Sequence, residues 1–329
     1  MAMNELEYAD DLPRKSIPAG IPFWSESYAF WVYPDDHRFD LYIHYQRQVA
    51  DPGIWKAMLV LLLDNGEALV TKSFGRQADD AGPGPAGLNV RCLEPGRRWA
   101  LRFDAAAQRV LQADLWKSEL RDGIVEPLFV EFELDAIAPV WSLDSQNLQK
   151  QEAMMSSHDE QAYRSKGVLR FGGRELTFTG AGYRDHSYGP RNYKRMGESQ
   201  IVLGVFPSRR AFWFITGRTP EGVYAHCEGA LAVDGKIYPL KVEDPPFHLD
   251  LLKGKESMDY VLNSELGKIR ICVRYTGRGI PFSLTSPAEE VIGAVGGFDA
   301  VKLAYWEMQI LSTWDGEVGV GSAQGTICR

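Results

Sequence analysis

The residues best suited to chemistry lie in one stretch of fifteen, from Thr179 to Tyr193. Arg184, Asp185 and His186 are consecutive there, Arg191 follows, and Tyr183, Tyr188 and Tyr193 are interleaved with Gly180, Gly182 and Gly189. An aspartate beside a histidine supplies a proton donor and a proton acceptor near neutral pH. Arginine's planar fork holds carboxylates, and tyrosine rings present faces that attract positive charge. The pattern reads as a pocket in which Asp185 and His186 act as acid and base, fixed by Arg184 or Arg191. Tyr183, Arg184, Tyr188, Arg191 and Tyr193 then surround the substrate. Adjacent residues on a strand point to opposite faces, so a joint role for Asp185 and His186 requires the glycines to bend the chain. The stretch suits neither a plain core strand, where glycine leaves nothing to pack, nor a helix. The competing reading is structural, with Asp185 anchoring an arginine and the tyrosines filling a core.

Further groups join this list by position. His158-Asp159-Glu160-Gln161 places His158 and Glu160 on one face of a strand. Phe39 to Arg47 alternates strictly, so Asp40, Tyr42, His44 and Gln46 share a face. Glu26 and His44, from the first half of the chain, are assigned to the site at a domain interface, where pockets tend to form. Trp213, in the apolar run Ala211 to Thr216, adds an aromatic face. His158, Glu160, His186 and His226 are possible metal-ligand types, but they lack a local spacing such as HExxH, and no metal is assigned.

The elements that must carry these groups are short strands. Trp55 to Leu63, the turn Asp64-Asn65-Gly66 and Glu67 to Lys72 read as a hairpin. Gly172-Gly173, Asp234-Gly235 and Asp315-Gly316 mark three more turns. Strand-like runs recur about every ten residues on both sides of Ala136 to Gln151, as in antiparallel barrels or sandwiches. Ala136 to Gln151 carries Pro139 and a polar run, and reads as the linker, so the domains are placed at 1–145 and 146–329. Gln151 to Met155 reads as a helical turn, and Ser286 to Gly297 is the one longer stretch with helical character.

The chain has 329 residues, net charge −8 and four scattered cysteines. Its length favours two domains. With no basic block it lacks the clustered cations that nucleic acid requires. No stretch approaches the roughly 18 apolar residues of a membrane helix. The polar, acidic start has no apolar signal core, and the cysteines form no zinc or disulfide pattern, so the expected location is the cytoplasm. No nicotinamide, flavin or haem motif is present, and no cofactor is expected.

Trp24-Ser25-Glu26-Ser27-Tyr28, His158-Asp159-Glu160-Gln161 and Gly182-Tyr183-Arg184-Asp185-His186-Ser187-Tyr188-Gly189-Pro190-Arg191 together resemble the AttH / hydroxyneurosporene synthase superfamily. That resemblance implies two tandem lipocalin-like antiparallel β-barrels in an all-β chain. It also implies a relation to carotenoid 1,2-hydratase and kievitone hydratase, while some related double-barrel proteins act as cyclases or Diels–Alderases. Carried over, His186 matches the pocket histidine of the hydratases, and Tyr188 the aromatic two residues on. The hydratases place a tyrosine and an acid on the next buried strand. Here that strand is Phe212-Trp213-Phe214-Ile215-Thr216, so Asp185 or Glu228 replaces the acid, or the reaction differs. The expected function is acid–base hydration, dehydration or isomerisation of a hydrophobic isoprenoid, polyketide or polycyclic molecule. A cyclase pocket and a non-catalytic binder of hydrophobic molecules are the alternatives.

Overall fold

The computed structural model describes residues 11–77, 80–85, 87–117, 120, 123–143, 156–191, 198–218, 224–285, 289–294 and 296–328. Ten strands form the first sheet: β1 Trp24–Pro34, β2 Phe39–Arg47, β3 Ile54–Leu63, β4 Glu67–Arg76, β5 Leu88–Glu94, β6 Arg98–Leu111, β7 Ile124–Ala136, β8 Trp141–Ser142, β9 Ser157–Phe171 and β10 Arg174–Pro190. Its order is β10-β1-β2-β3-β4-β6-β7-β9, and β9 pairs back to β10, so eight strands close a ring. The second sheet holds β11 Glu198–Val205, β12 Ala211–Arg218, β13 Tyr224–Val233, β14 Lys236–Glu243, β15 Met258–Ser264, β16 Gly267–Thr285, β17 Glu289–Ile292, β18 Leu303–Trp314 and β19 Glu317–Cys328. Its ring runs β15-β14-β13-β12-β11-β19-β18-β16 and closes from β16 to β15. The chain is therefore all-β, in two antiparallel lipocalin-like barrels. Among the described residues no helix is long and apolar enough to cross a membrane.

Alternation fills the first barrel. Tyr28, Phe30 and Val32 of β1, Leu41, Ile43 and Tyr45 of β2, and Trp55, Ala57, Leu59 and Leu61 of β3 all lie in one buried apolar cluster. Removing this face from water is the dominant stabilising term, at about 25 cal/mol per Å² of apolar surface, and the other face of β1, β2 and β3 is buried as well. The second barrel has its own core, with Phe212, Phe214, Tyr260, Trp306 and Met308 among its members. The expected turns form: at Gly172-Gly173, Asp234-Gly235 and Asp315-Gly316 both residues have positive φ, the backbone twist that two-residue hairpins favour.

Four expectations change. The compact units are Met1–Val110 with Asp122–Arg191, and Leu111–Arg121 with Asn192–Arg329. The boundary expected at 145/146 falls inside the first unit, because β9 and β10 complete the first ring. A polar, Pro-containing run between strands marks a connection, and connections occur within barrels as well as between them. Residues 144–155, with half of the expected linker and the helical turn after it, lie outside the described residues.

Ser286 to Gly297 is not helical where it is described: Glu289–Ile292 pairs with β16, from Phe282↔Ile292 to Thr285↔Glu289. Gly293, Gly296 and Gly297 then take positive φ, which an α-helix does not accommodate. Thr179 to Pro190, judged unsuited to a plain strand, is the end of the seventeen-residue β10. A Cβ on Gly182 would come within 1.8 Å of the Trp31 carbonyl oxygen and 2.8 Å of the Tyr163 ring. Tyr163 lies across that gap and donates its hydroxyl to the Trp31 carbonyl. The glycines let β1, β9 and β10 close up around an aromatic ring rather than bending the chain.

Candidate active site

Asp185 and His186 are neighbours on β10 and face opposite sides of the sheet, so the expected joint pocket does not form. His186 points into the first barrel. Its Nε2–H donates to Glu26 Oε1 at 2.9 Å, and its ring stacks on Tyr28 at 4.0 Å and 9°. Glu26 also accepts Arg47 Nε at 2.8 Å and the Arg14 backbone N–H on both oxygens, at 3.0 and 3.1 Å. Burial opposes the charged carboxylate, but the His186 hydrogen bond and charge, with those of Arg47, outweigh it and hold Glu26 below its ordinary range. Arg184 shares this face. It pairs with Asp11 at 2.8 Å and donates to Gln161 Oε1 at 2.8 Å, so it holds Asp11 rather than Asp185. Tyr188 sits at the same end under the Arg14 guanidinium, 3.8 Å from its ring centre. Every oxygen of Glu26 is used, and the group reads as a buried clasp that ties the N-terminal segment to β1, β2 and β10.

The opposite face carries different groups. Pairing puts Glu160 beside Asp185, His158 beside Ser187 and Ala162 beside Tyr183. β1 adds Ser27, Ala29 and Trp31, and β2 adds Gln46, His44 and Tyr42. Three rows therefore cross four strands: His158–Ser187–Ser27–Gln46, Glu160–Asp185–Ala29–His44, and Ala162–Tyr183–Trp31–Tyr42. All but Asp185 are buried, and Asp185 is half-buried. His158 Nε2 and Glu160 Oε1 are 2.9 Å apart. His158, Glu160 and Asp185 each offer a ligand-type atom, and these atoms lie within 4.8 Å of one another. Asp185 Oδ1 accepts the Ala29 N–H at 2.9 Å. Arg191 donates to Ser187 Oγ at 3.0 Å and Ser27 Oγ at 3.1 Å, so it braces the serine row and not Asp185.

This cluster is built to hold a proton. Burial disfavours a charged His158, but the Glu160 hydrogen bond and the charges of Glu160, Asp185 and Asp159 outweigh it and raise its pKa above the ordinary 6.5. Burial and the Glu160 charge push Tyr183 far above its usual range, so it stays a neutral phenol. A divalent ion on these three groups would compete with the proton that His158 shares with Glu160. In an NMR titration His158 is expected to titrate above 6.5, and Glu160→Gln to bring it down. An unchanged midpoint in that variant would remove Glu160 as its partner.

Of the remaining expected site residues, Trp213 is buried on β12 of the second sheet. Tyr193 and the His226 side chain lie outside the described residues, and Glu228 is on β13. Sequence reasoning missed Asp11, Arg14, Arg47 and Gln161. Arg47 ends the alternating run that pointed to His44, so that run held a signal for it. Nothing around Asp11 and Arg14 distinguished them from a solvated arm.

The two closed rings give the chain a double lipocalin-like fold. The fold matches an AttH-type protein from Nitrosomonas europaea at 12% identity and TM-score 0.58, covering 96% of this chain and 98% of that one. It also matches kievitone hydratase from Nectria haematococca at 9% identity and TM-score 0.55, covering 92% and 88%. A third match is CghA, at 12% identity and TM-score 0.51, covering 93% and 88%. No curated protein matches the chain in sequence. Residues 8–243 match the family described as Domain of unknown function (DUF7064), and the chain belongs to that family.

Proposed function

We propose that this chain is a cofactor-independent enzyme that hydrates, dehydrates or isomerises a hydrophobic small molecule by acid–base catalysis on the outer face of β9, β10 and β1. The observation that carries this reading is the buried His158–Glu160 pair with Asp185 beside it, among Tyr183, Trp31 and Tyr42. In hydration, the His158 imidazolium gives a ring proton to one carbon of the double bond. The cation that develops is faced by two carboxylates and by aromatic rings, whose faces contribute about 0.5–2 kcal/mol each. Water adds to the cation and passes a proton to Asp185, and return of that proton to His158 resets the site. His186 supports β10 from the barrel side and takes no part in the transfer. The kievitone hydratase likeness supports a lyase of this kind. The aromatic row Tyr183–Trp31–Tyr42 favours a second reading, a cyclase pocket that orients a polyene.

The test is incubation of the purified protein with isoprenoid and polycyclic alkenes in water enriched in heavy oxygen or deuterium. Mass spectrometry is expected to show solvent label in the product without added cofactor, and at the same rate in a chelator. Saturable binding with no labelled or rearranged product would leave the binder reading; rearrangement without label would leave the cyclase.

A further inference from the structure

The second barrel carries a cavity built from none of the residues of the sheet-face cluster. It has a volume of about 420 Å³, within the usual range for small-molecule pockets, and aromatic and aliphatic side chains share its walls almost evenly with polar surface. Separate segments build it. Trp116 follows the short helix α1, Gln112–Leu115, and its ring meets Phe298 edge-on at 5.2 Å. The Leu115 carbonyl accepts the Ala294 N–H at 2.9 Å, which ties this segment to the turn before Phe298. Phe298 opens a 3₁₀ turn, Phe298–Ala300, after Gly297 at φ 94° and ψ 149°, a backbone state essentially confined to glycine. Phe298 also meets Trp306 of the barrel core at 5.5 Å.

The opposite wall is Tyr275 of β16, next to a bulge that breaks register between Tyr275 and Gly279. Gln309 pins that bulge by accepting Thr276 Oγ1 at 2.6 Å and Arg278 Nε at 3.0 Å. A Cβ on Gly279 would stand 2.9 Å from the Tyr275 hydroxyl and 3.2 Å from Trp116, so the two rings converge where the barrel wall lacks a side chain. These ties hold the aromatic walls in place before any ligand arrives, which lowers the ordering cost of binding.

The polar groups at the cavity decide what it takes. Lys253 follows α2, Leu249–Leu252, and Asp299 follows Phe298; both line the cavity and are exposed. An anionic head would gain Lys253 and meet Asp299, and a cationic head would meet the reverse. A hydroxyl accepts from the ammonium and donates to the carboxylate at once. We infer that this cavity binds a neutral, hydroxyl-bearing aromatic or polycyclic molecule, with its rings against Trp116, Phe298 and Tyr275 and its hydroxyl at Lys253 and Asp299.

The probe is 2-naphthol, titrated into the full chain by calorimetry, with naphthalene and 2-naphthoate as comparators. Saturable one-to-one binding is expected, tighter for 2-naphthol than for either comparator. Leu252→Trp, which fills the cavity from α2, is expected to weaken 2-naphthol at least about tenfold, a loss of about 1.4 kcal/mol. Lys253→Met and Asp299→Asn change exposed rim residues and keep the test alive if Leu252→Trp does not fold. Each is expected to weaken 2-naphthol while leaving naphthalene unchanged. Asp185→Asn is expected to leave the titration as in the parent, so failure of the sheet-face reading and failure of this one are separable. Absence of saturable binding overturns the inference, as does parental affinity in folded Leu252→Trp or in both rim variants. Tighter binding of 2-naphthoate, or loss of 2-naphthol binding in Asp185→Asn, overturns it too.

Discussion

Glu160→Gln is expected to lower turnover by up to about 10²–10⁴-fold, the usual contribution of the general acid that it keeps charged, while the protein keeps its fold. The amide preserves the shape of the side chain and can still hydrogen-bond His158, but it removes the carboxylate that contributes most to keeping the imidazole charged. The expected signature is therefore in pH as well as rate. In the parent, activity falls as pH rises through the raised pKa of His158. In Glu160→Gln that alkaline limb moves to lower pH. Asp185→Asn moves it less, since Asp185 acts on His158 by charge alone. The same shift sets a stability window. A histidine whose folded pKa is raised contributes stability that is fully present below 6.5 and is lost as pH climbs through the folded value. Loss of activity with an unmoved pH limb would assign Glu160 to packing. Turnover within about threefold of the parent, far below a proton-transfer contribution, would remove the pair from the mechanism and leave the cyclase reading.

Much of this site was legible in the residues, and what was not has a physical origin. Period-two alternation placed Tyr42, His44 and Gln46 on one face, and it placed His158 with Glu160. The rule that strand neighbours diverge already opposed a joint role for Asp185 and His186, and the structure obeys it. The glycines misled because their effect depends on what crosses them. Gly182 is a slot for the Tyr163 ring, and that ring's position is fixed by the register of β9 on β10, which no local pattern encodes. The domain boundary misled for a related reason. Closing the first ring requires β10 to find β1 about 150 residues earlier in the chain, from Trp24↔Pro190 to Pro34↔Gly180. Composition near residue 145 carries no trace of that pairing. Asp11 and Arg14 look like a solvated arm because their partners, Arg184 and Glu26, lie on strands beyond it.

The barrel-side clasp calls for the opposite experiment, one read in stability. Glu26→Ala is expected to destabilise the protein by about 3–5 kcal/mol, the cost of removing one partner from a buried ion pair. It strands the Arg47 guanidinium and the His186 ring, and it frees the Arg14 N–H that fixes the N-terminal segment. For a domain of this size each kcal/mol is worth about 2–4 °C in melting temperature, so the shift is about 6–20 °C. Asp259→Ala, which breaks the exposed pair with Arg270, is the control and is expected to cost under about 1 kcal/mol. The pH dependence has a definite sign. The folded pKa of Glu26 is depressed, so its contribution is fully present above the ordinary 4.5 and disappears as pH falls through the depressed value. Urea denaturation of parent and variant should therefore differ most near neutrality and converge in acid. A cost below about 1 kcal/mol at pH 7, the scale of an exposed pair, would show that the clasp is not needed to hold the strands. Glu26→Gln and His186→Ala, measured per folded molecule, complete the case. If β10 is supported from this side and the chemistry is done on the other, both lose melting temperature and keep turnover. If either keeps its melting temperature and loses turnover, the proton passes through the barrel and the sheet-face assignment falls.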